Sequence, residues 1–342
     1  MTRKTTSPFA FPKIILGTMT FGEQNTMDEA HEQLQWAFDN DIRFIDCAEM
    51  YPVYTRPETQ GLTERYIGEW LKHQKRDEVI VASKVSGPGR RWIRDGKYSL
   101  DGIRRAIDES LARLQTDYID LYQIHWPCRK APIFGNTRYV PPTEEERIAE
   151  VGIREQLEVF KELIDEGKIR ALGVSNETSW GVCEFCRLAD EYDLPRIVSI
   201  QNAYSLTNRQ FEQGLDETCW NEDVALLAYS PLAGGTLSGK YLKPGAIGRF
   251  TQFPSDYSPR YTRPSVGRAT QKYLDLATSA GLTPIELALG FVSSRWFVSS
   301  TILGATSLEQ LKADVSACNV VLSEEVLARI EEIHNEIPNP AM

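Results

Sequence analysis

Short apolar, β-rich runs alternate with longer amphipathic stretches along nearly the whole chain, and this alternation limits the fold more than any other feature. The expected strands are Ile14–Gly17, Phe44–Asp46, Val79–Lys84, Ile119–His125, Ile169–Ser175, Ile197–Gln201, Ala225–Ser230 and Ser299–Leu303. Between them lie TMDEAHEQLQWAFDND, LDGIRRAIDESLARLQ, IREQLEVFKELIDEG and RATQKYLDLATSAG, each with apolar residues at i, i+3, i+4 spacing. SLEQLKADVSA follows the last strand, and SEEVLARIEEIHNE reads as a terminal helix capped by Ser323. Eight strands joined by crossover helices imply a parallel sheet, either closed as a (β/α)8 barrel or open and doubly wound. An open dinucleotide fold would carry GxGxxG after its first strand, where this chain has LGTMTFGE. No linker or composition shift divides the 342 residues. The expectation is one α/β domain over residues 1–342, a TIM barrel with long loops at its C-terminal rim.

Composition excludes some functions. Hydrophobic residues make up 42%, enough for a sizeable core, and the net charge of −10 argues against nucleic acid or an anionic membrane as partner. No apolar run approaches the roughly 20 residues of a spanning helix. The opening MTRKTTSPFAFPKI lacks the apolar region of a secretory signal. Six cysteines without framework spacing fit free thiols in a reducing compartment, and the expected location is the cytoplasm. Cys183 and Cys186 form a CxxC, but Val182, Cys186 and Ala189 share one helical face, so packing is expected there rather than metal.

The expected strands end on polar residues: Asp46, Lys84, His125, Ser175 with Asn176, Gln201, and Tyr229 with Ser230. In a (β/α)8 barrel these ends form one rim, which holds the active site. Three long connections, Met50–Thr63, Trp126–Ile148 and Gly234–Pro264, rise from that rim, and loops of such length are usually functional. Tyr51 follows Asp46 by five residues. A phenol is a weak acid with a pKa of about 10, and a neighbouring ammonium makes it a better proton donor. Lys84 can supply the ammonium and Asp46 the counter-charge that keeps it protonated. His125 can hydrogen-bond a substrate oxygen.

GTMTFG, FIDCAEMY, ASKVSG, DYIDLYQIHWP, GKIRALGVSN and AYSPLAGGTLSGKY together resemble the aldo-keto reductase superfamily, in order and over nearly the whole chain, most of all its Tas-like bacterial branch. The resemblance implies a (β/α)8 barrel that reduces an aldehyde or ketone with NADPH and without metal. It implies Tyr51 as general acid, Lys84 and Asp46 as the groups tuning it, and His125 as the carbonyl orienter. Ser175, Asn176 and Gln201 would hold the nicotinamide carboxamide, and Tyr229 would stack on its ring. Ser230, Leu232, Gly235 and Lys240 would line the pyrophosphate path, with Arg249 as a clasp. Gly304, Thr306 and Gln310 would face the adenosine phosphate end. The family's Glu-Asn pair near the adenine is Ala313-Asp314 here. An aspartate cannot donate as an asparagine amide does, and its charge would sit near phosphates, so NADH stands beside NADPH as a candidate. The alternative is that Asp314 is merely a solvated helix residue.

Other readings are a nicotinamide-binding sensor or regulatory subunit with little turnover, a Schiff-base aldolase using Lys84, and a metal hydrolase. The last is disfavoured by four histidines in neither HxH nor HExxH. Trp126, Phe134, Tyr54 and Trp92 are candidate pocket walls for an apolar or aromatic carbonyl compound. The oligomeric state is left open.

Overall fold

A computed structural model of the chain describes residues 7–148, 150–254 and 257–342. The first six residues of the opening segment and two residues of the third long connection fall outside it. Eight parallel strands close in chain order: β1 (Ile14–Gly17), β2 (Phe44–Asp46), β3 (Ile80–Val85), β4 (Ile119–Ile124), β5 (Ile169–Ser175), β6 (Ile197–Ala203), β7 (Ala225–Tyr229) and β8 (Val298–Leu303). β1 pairs with both β2 and β8, so the ring has no open edge. The expected strands differ only at their ends. His125 stands one residue beyond β4, and Asn176 and Ser230 stand one beyond β5 and β7. The last two take φ of 54° and 53°, which turns the chain out of the strand direction.

Each strand sends one residue to a shared interior layer: Ile15, Phe44, Ala82, Leu121, Ala171, Val198, Leu227 and Ile302, with Phe9 and Phe11 packed against it. Adjacent residues Leu16, Ile45, Val81, Tyr122, Leu172 and Leu226 face the helices in a second, larger core. This is the period-two alternation of a strand buried on both faces.

The helices that cover the ring include Met27–Asp39, Leu62–Leu71, Leu100–Leu114, Ile153–Asp165, Ser179–Tyr192 and Leu308–Ala317. Four of these starts are marked by side-chain caps: Thr26, Ser99, Thr178 and Ser307 each accept a backbone N–H, and Ser323 does the same for the last helix, Glu324–Glu336. Cys186 packs in the core and Cys183 is exposed. No single helix among the described residues is long and apolar enough to cross a membrane. The third long connection is built largely of short turns, Ala233–Ser238, Lys240–Leu242, Arg249–Gln252 and Pro259–Tyr261.

The helix Leu62–Leu71 approaches the end of Leu100–Leu114 through Gly68. A side chain there would press on the Arg113 carbonyl and stand 2.9 Å from the Leu114 carbonyl carbon. Backbone cannot yield as a flexible side chain does. Gly68→Ala should therefore lose roughly 1–3 kcal/mol of stability, although alanine is intrinsically the better helix former by about 1 kcal/mol. Urea denaturation of the two proteins checks this; a more stable variant would show that the helices part freely.

Candidate active site

Two residues above the apolar interior layer the barrel turns polar. Asp46, Lys84 and Gln123 follow Phe44, Ala82 and Leu121 on the same inward face. The fourth member, Gln201, arrives by an irregularity. Leu172 pairs with Ile197 but Gly173 pairs with Ser199, so Val198 is an extra residue that lets Gln201 also point inward. Lys84 Nζ donates to Asp46 Oδ2 at 2.7 Å and to the Cys47 carbonyl at 2.8 Å. Asp46 Oδ1 accepts from Gln201 Nε2 at 2.8 Å and Gln123 Nε2 at 3.2 Å. Both charged side chains are almost fully buried.

Tyr51 stands over this group on a turn whose N–H donates to the Ala48 carbonyl at 3.1 Å. Lys84 Nζ is 4.9 Å from its ring centroid. The expectation that Lys84 lowers the Tyr51 pKa is not met. Burial first, then the Asp46 charge, hold the phenol well above its ordinary value. The reason is that the Lys84 charge is already balanced by Asp46 at 2.7 Å, which leaves little net positive field at the phenol. Tyr51 is therefore firmly protonated, and its hydroxyl has no hydrogen-bond partner among the described residues.

The turn carrying Tyr51 is anchored by a residue the sequence reading passed over. Glu49 is buried and accepts from the Ser86 N–H at 2.5 Å and from both terminal nitrogens of Arg94 at 2.6 Å. This forked pair ties the β2 turn to the end of β3 and the loop after it. An acidic residue between a strand end and a tyrosine was the available signal.

His125 meets the Tyr51 ring edge-on at 5.5 Å, and Trp126 lies 5.1 Å from the imidazole. Burial, with the charges of Lys84 and Arg90, holds His125 well below its ordinary pKa, so the ring is neutral. Its Nδ1 is buried without a partner. An unpaired lone pair is cheaper than an unpaired N–H, which favours the proton on Nε2. Around Tyr51 gather Ala48, Met50, Val53, Ile93 and Trp126, with Met19, Ile133, Phe253 and Tyr257 packed against them. Of the expected walls, Trp126 belongs here, and Tyr54 joins through Phe253 and Tyr257 at 5.8 and 6.1 Å. Phe134 is half-exposed and contacts Trp126 at 6.1 Å. Trp92 is exposed and outside the group; its neighbour Ile93 occupies that position instead.

The residues expected to hold a nicotinamide are bonded to one another. Ser175 Oγ donates to the Gln201 carbonyl at 2.7 Å, and Asn176 Nδ2 donates to the His125 carbonyl at 2.9 Å. Tyr229 donates to Asn176 Oδ1 at 2.7 Å. Gln201 Oε1 is left with no donor among the described residues, an acceptor suited to a carboxamide NH2.

Beyond Ser230 and Leu232 the chain forms a cradle in which glycines let the Lys240 side chain lie against the backbone. A Cβ on Gly235, where φ is 90°, would stand 3.3 Å from Lys240 Cε. One on Gly248 would meet Lys240 Nζ at 2.8 Å and Tyr241 Oη at 2.5 Å. Lys240 has no carboxylate partner among the described residues, and Arg249 Nε is buried without an acceptor. Glycines beside unpaired cations suit phosphate oxygens, so the donor set fits a dinucleotide. At the far end Gly304 lies against the Gly17 carbonyl, and Thr306 donates its hydroxyl and its N–H to Gln310 Oε1 at 2.9 and 3.2 Å. Ser307 caps the helix Leu308–Ala317 that carries Asp314. Asp314 is buried, which corrects the solvated-residue alternative; burial pushes its carboxyl up to about 7.

The sequence profile of the Aldo/keto reductase family matches residues 13–335. The chain belongs to that family, a class of NAD(P)H-dependent oxidoreductases acting on small carbonyl compounds. It is 51% identical over 338 residues to Protein tas of Escherichia coli, covering 95% of both chains. It is 38% identical over 274 residues to an aldo-keto reductase of Babesia bovis, covering 75% of this chain and 96% of that one. It is also 29% identical over 329 residues to a probable voltage-gated potassium channel subunit beta of Arabidopsis thaliana, covering 94% and 92%.

Asp314 makes a pH prediction. The folded chain holds this proton more tightly than the unfolded chain, whose carboxyl titrates near 4. Stability should therefore fall as pH rises from about 4 towards 7 and then level off. Asp314→Asn removes that slope, so it should be more stable than the parent at pH 8 by roughly 1–3 kcal/mol, with a much smaller gain at pH 5. Denaturation at both values checks it; an equal gain at both would mean the charge plays no part.

Proposed function

We propose that the protein reduces an aldehyde or ketone to an alcohol with NADPH, Tyr51 acting as general acid. The observation that carries this reading is the neutral Tyr51 hydroxyl, without a partner among the described residues, beside His125 and above the buried Lys84–Asp46 pair. When bound, the reduced nicotinamide supplies the hydride. The chain itself does the rest. Gln201, Asn176 and Ser175 hold the carboxamide, Tyr229 lies against the ring, and Ser230, Leu232, Gly235, Lys240 and Arg249 hold the pyrophosphate. Gly304, Thr306, Gln310 and Asp314 take the adenosine end. NADPH is preferred over NADH on Lys240 and Arg249, which have no carboxylate partner among the described residues.

The substrate carbonyl oxygen accepts from Tyr51 Oη and His125 Nε2, in a mouth whose aromatic walls exclude water. As negative charge grows on that oxygen, Tyr51 gives up its proton. The phenolate then forming lies over the Lys84–Asp46 pair, where the ammonium offsets an Asp46 carboxylate that would otherwise oppose it more strongly. Asp46 keeps Lys84 in position through a direct ion pair. The proposal takes the whole chain as one catalytic unit, and the six free cysteines suit a reducing cytoplasm.

Tyr51→Phe keeps the ring and removes the hydroxyl. Carbonyl reduction should fall by roughly 10²–10⁴-fold, the usual span for general acid catalysis. NADPH affinity, followed by tryptophan quenching, should change little, and melting curves should match. Lys84→Met should lose activity as well. A folded Tyr51→Phe with near-full turnover would end the mechanism.

A further inference from the structure

Three cationic side chains are buried among the described residues: Lys84, Arg209 and Arg260. Lys84 pairs with Asp46 at 2.7 Å, and Arg209 pairs with Glu212 and Glu331 at 2.6 and 3.0 Å. Arg260, only 9% exposed, has no carboxylate within ion-pair distance among the described residues. Its guanidinium lies 4.8 Å from the Tyr261 ring centroid and is bordered by the Tyr229 and Tyr257 phenols. Burial raises the pKa of both those phenols, so neither carries a balancing charge. A guanidinium taken out of water without a counter-charge is costly, and a fold retains one where an anion arrives from outside.

The surroundings say which anion. Arg260 Cβ stands 3.6 Å from where a side chain on Gly135 would begin, and Arg263 donates to the Gly135 carbonyl at 3.3 Å. Gly135 belongs to the connection after β4; Arg260 shares the connection after β7 with Gly235 and Lys240 of the phosphate cradle, but lies near its far end, in the turn Pro259–Tyr261. Phe134, beside Gly135, packs on Trp126, and Tyr257 joins the apolar group around Tyr51. Arg260 thus sits where the connections after β7 and β4 meet, beside the Tyr257 that packs in the group around Tyr51, on the substrate side of the mouth. A planar guanidinium matches a carboxylate in a forked, two-bond arrangement.

We infer that Arg260 recognises a carboxylate on the substrate, so that the preferred substrates are oxo-acids whose carbonyl and carboxylate share an apolar frame. This rests on the reductase reading above. The paired probes are 4-formylbenzoate and its methyl ester, which offer the same ring and the same aldehyde. With NADPH, the parent protein should favour the acid in kcat/KM by roughly 10–100-fold, the range for a hydrogen bond to a charged group. Arg260→Met should bring the ratio close to 1, mainly through KM, and Arg260→Lys should recover part of it.

Removing a buried charge that has no carboxylate partner among the described residues should leave Tm level or higher, so the loss is not one of folding. An Arg260→Met that unfolds would show a structural guanidinium and overturn the inference, as would equal rates for acid and ester in the parent. A tenfold or larger loss of NADPH affinity with the acid-to-ester ratio intact would assign Arg260 to a cofactor phosphate and equally overturn it. Calorimetric titration of terephthalate into the NADPH-loaded protein reads the site without turnover. Binding that Arg260→Met abolishes, in a protein that reduces neither aldehyde, would keep the anion site while removing the reductase reading.

Discussion

A single carboxylate sits where the barrel changes from apolar packing to chemistry. Asp46 receives Lys84 from β3, Gln123 from β4 and Gln201 from β6, and it ends β2 itself. Four of the eight strands are joined through its two oxygens. Removing one partner of such a buried pair strands the other charge, at a cost of roughly 3–5 kcal/mol. The pair therefore dictates its surroundings: an amide layer to satisfy the remaining lone pairs, and hydrophobic residues elsewhere. It also sets the electrostatics above it. The ammonium is balanced, the imidazole is neutral and the phenol keeps its proton, so the layer is polar with little net field at rest.

The barrel was legible because strand and helix periods are local properties of the chain. The rim residues were legible because a polar side chain ending an apolar run is conspicuous. Gln123 shows where that signal fails: it sits inside IDLYQI with no break around it, yet it bonds to Asp46. Gln201 shows a second kind of failure. Strict alternation from Val198 would turn it outward, and only the extra residue in the β5–β6 register turns it in. The state of Tyr51 depended on how tightly Lys84 is claimed by Asp46, a distance that no spacing encodes. The burial of Asp314 and of Arg260 are likewise long-range facts, fixed by what packs over them.

The two sides of the mouth solve different problems with the same kind of residue. On one side, glycines let Lys240 lie close to the backbone, and the ammonium stays at the surface. On the other, aromatic rings enclose Arg260 and strip it of water. A solvated cation attracts highly charged groups from a distance, whereas a desolvated one discriminates at contact. The Glu49–Arg94 pair stands apart from both, tying the Tyr51 turn to the loop after β3.

The interior layer below Asp46 takes one side chain from every strand and is closed from beneath by Phe9 and Phe11, whose rings lie 5.7 and 6.2 Å from Phe44. That closes the barrel below the polar layer. Whatever enters or leaves, a proton included, shares one doorway, so an occupant lying across the mouth also shuts the route by which the polar layer exchanges with bulk water.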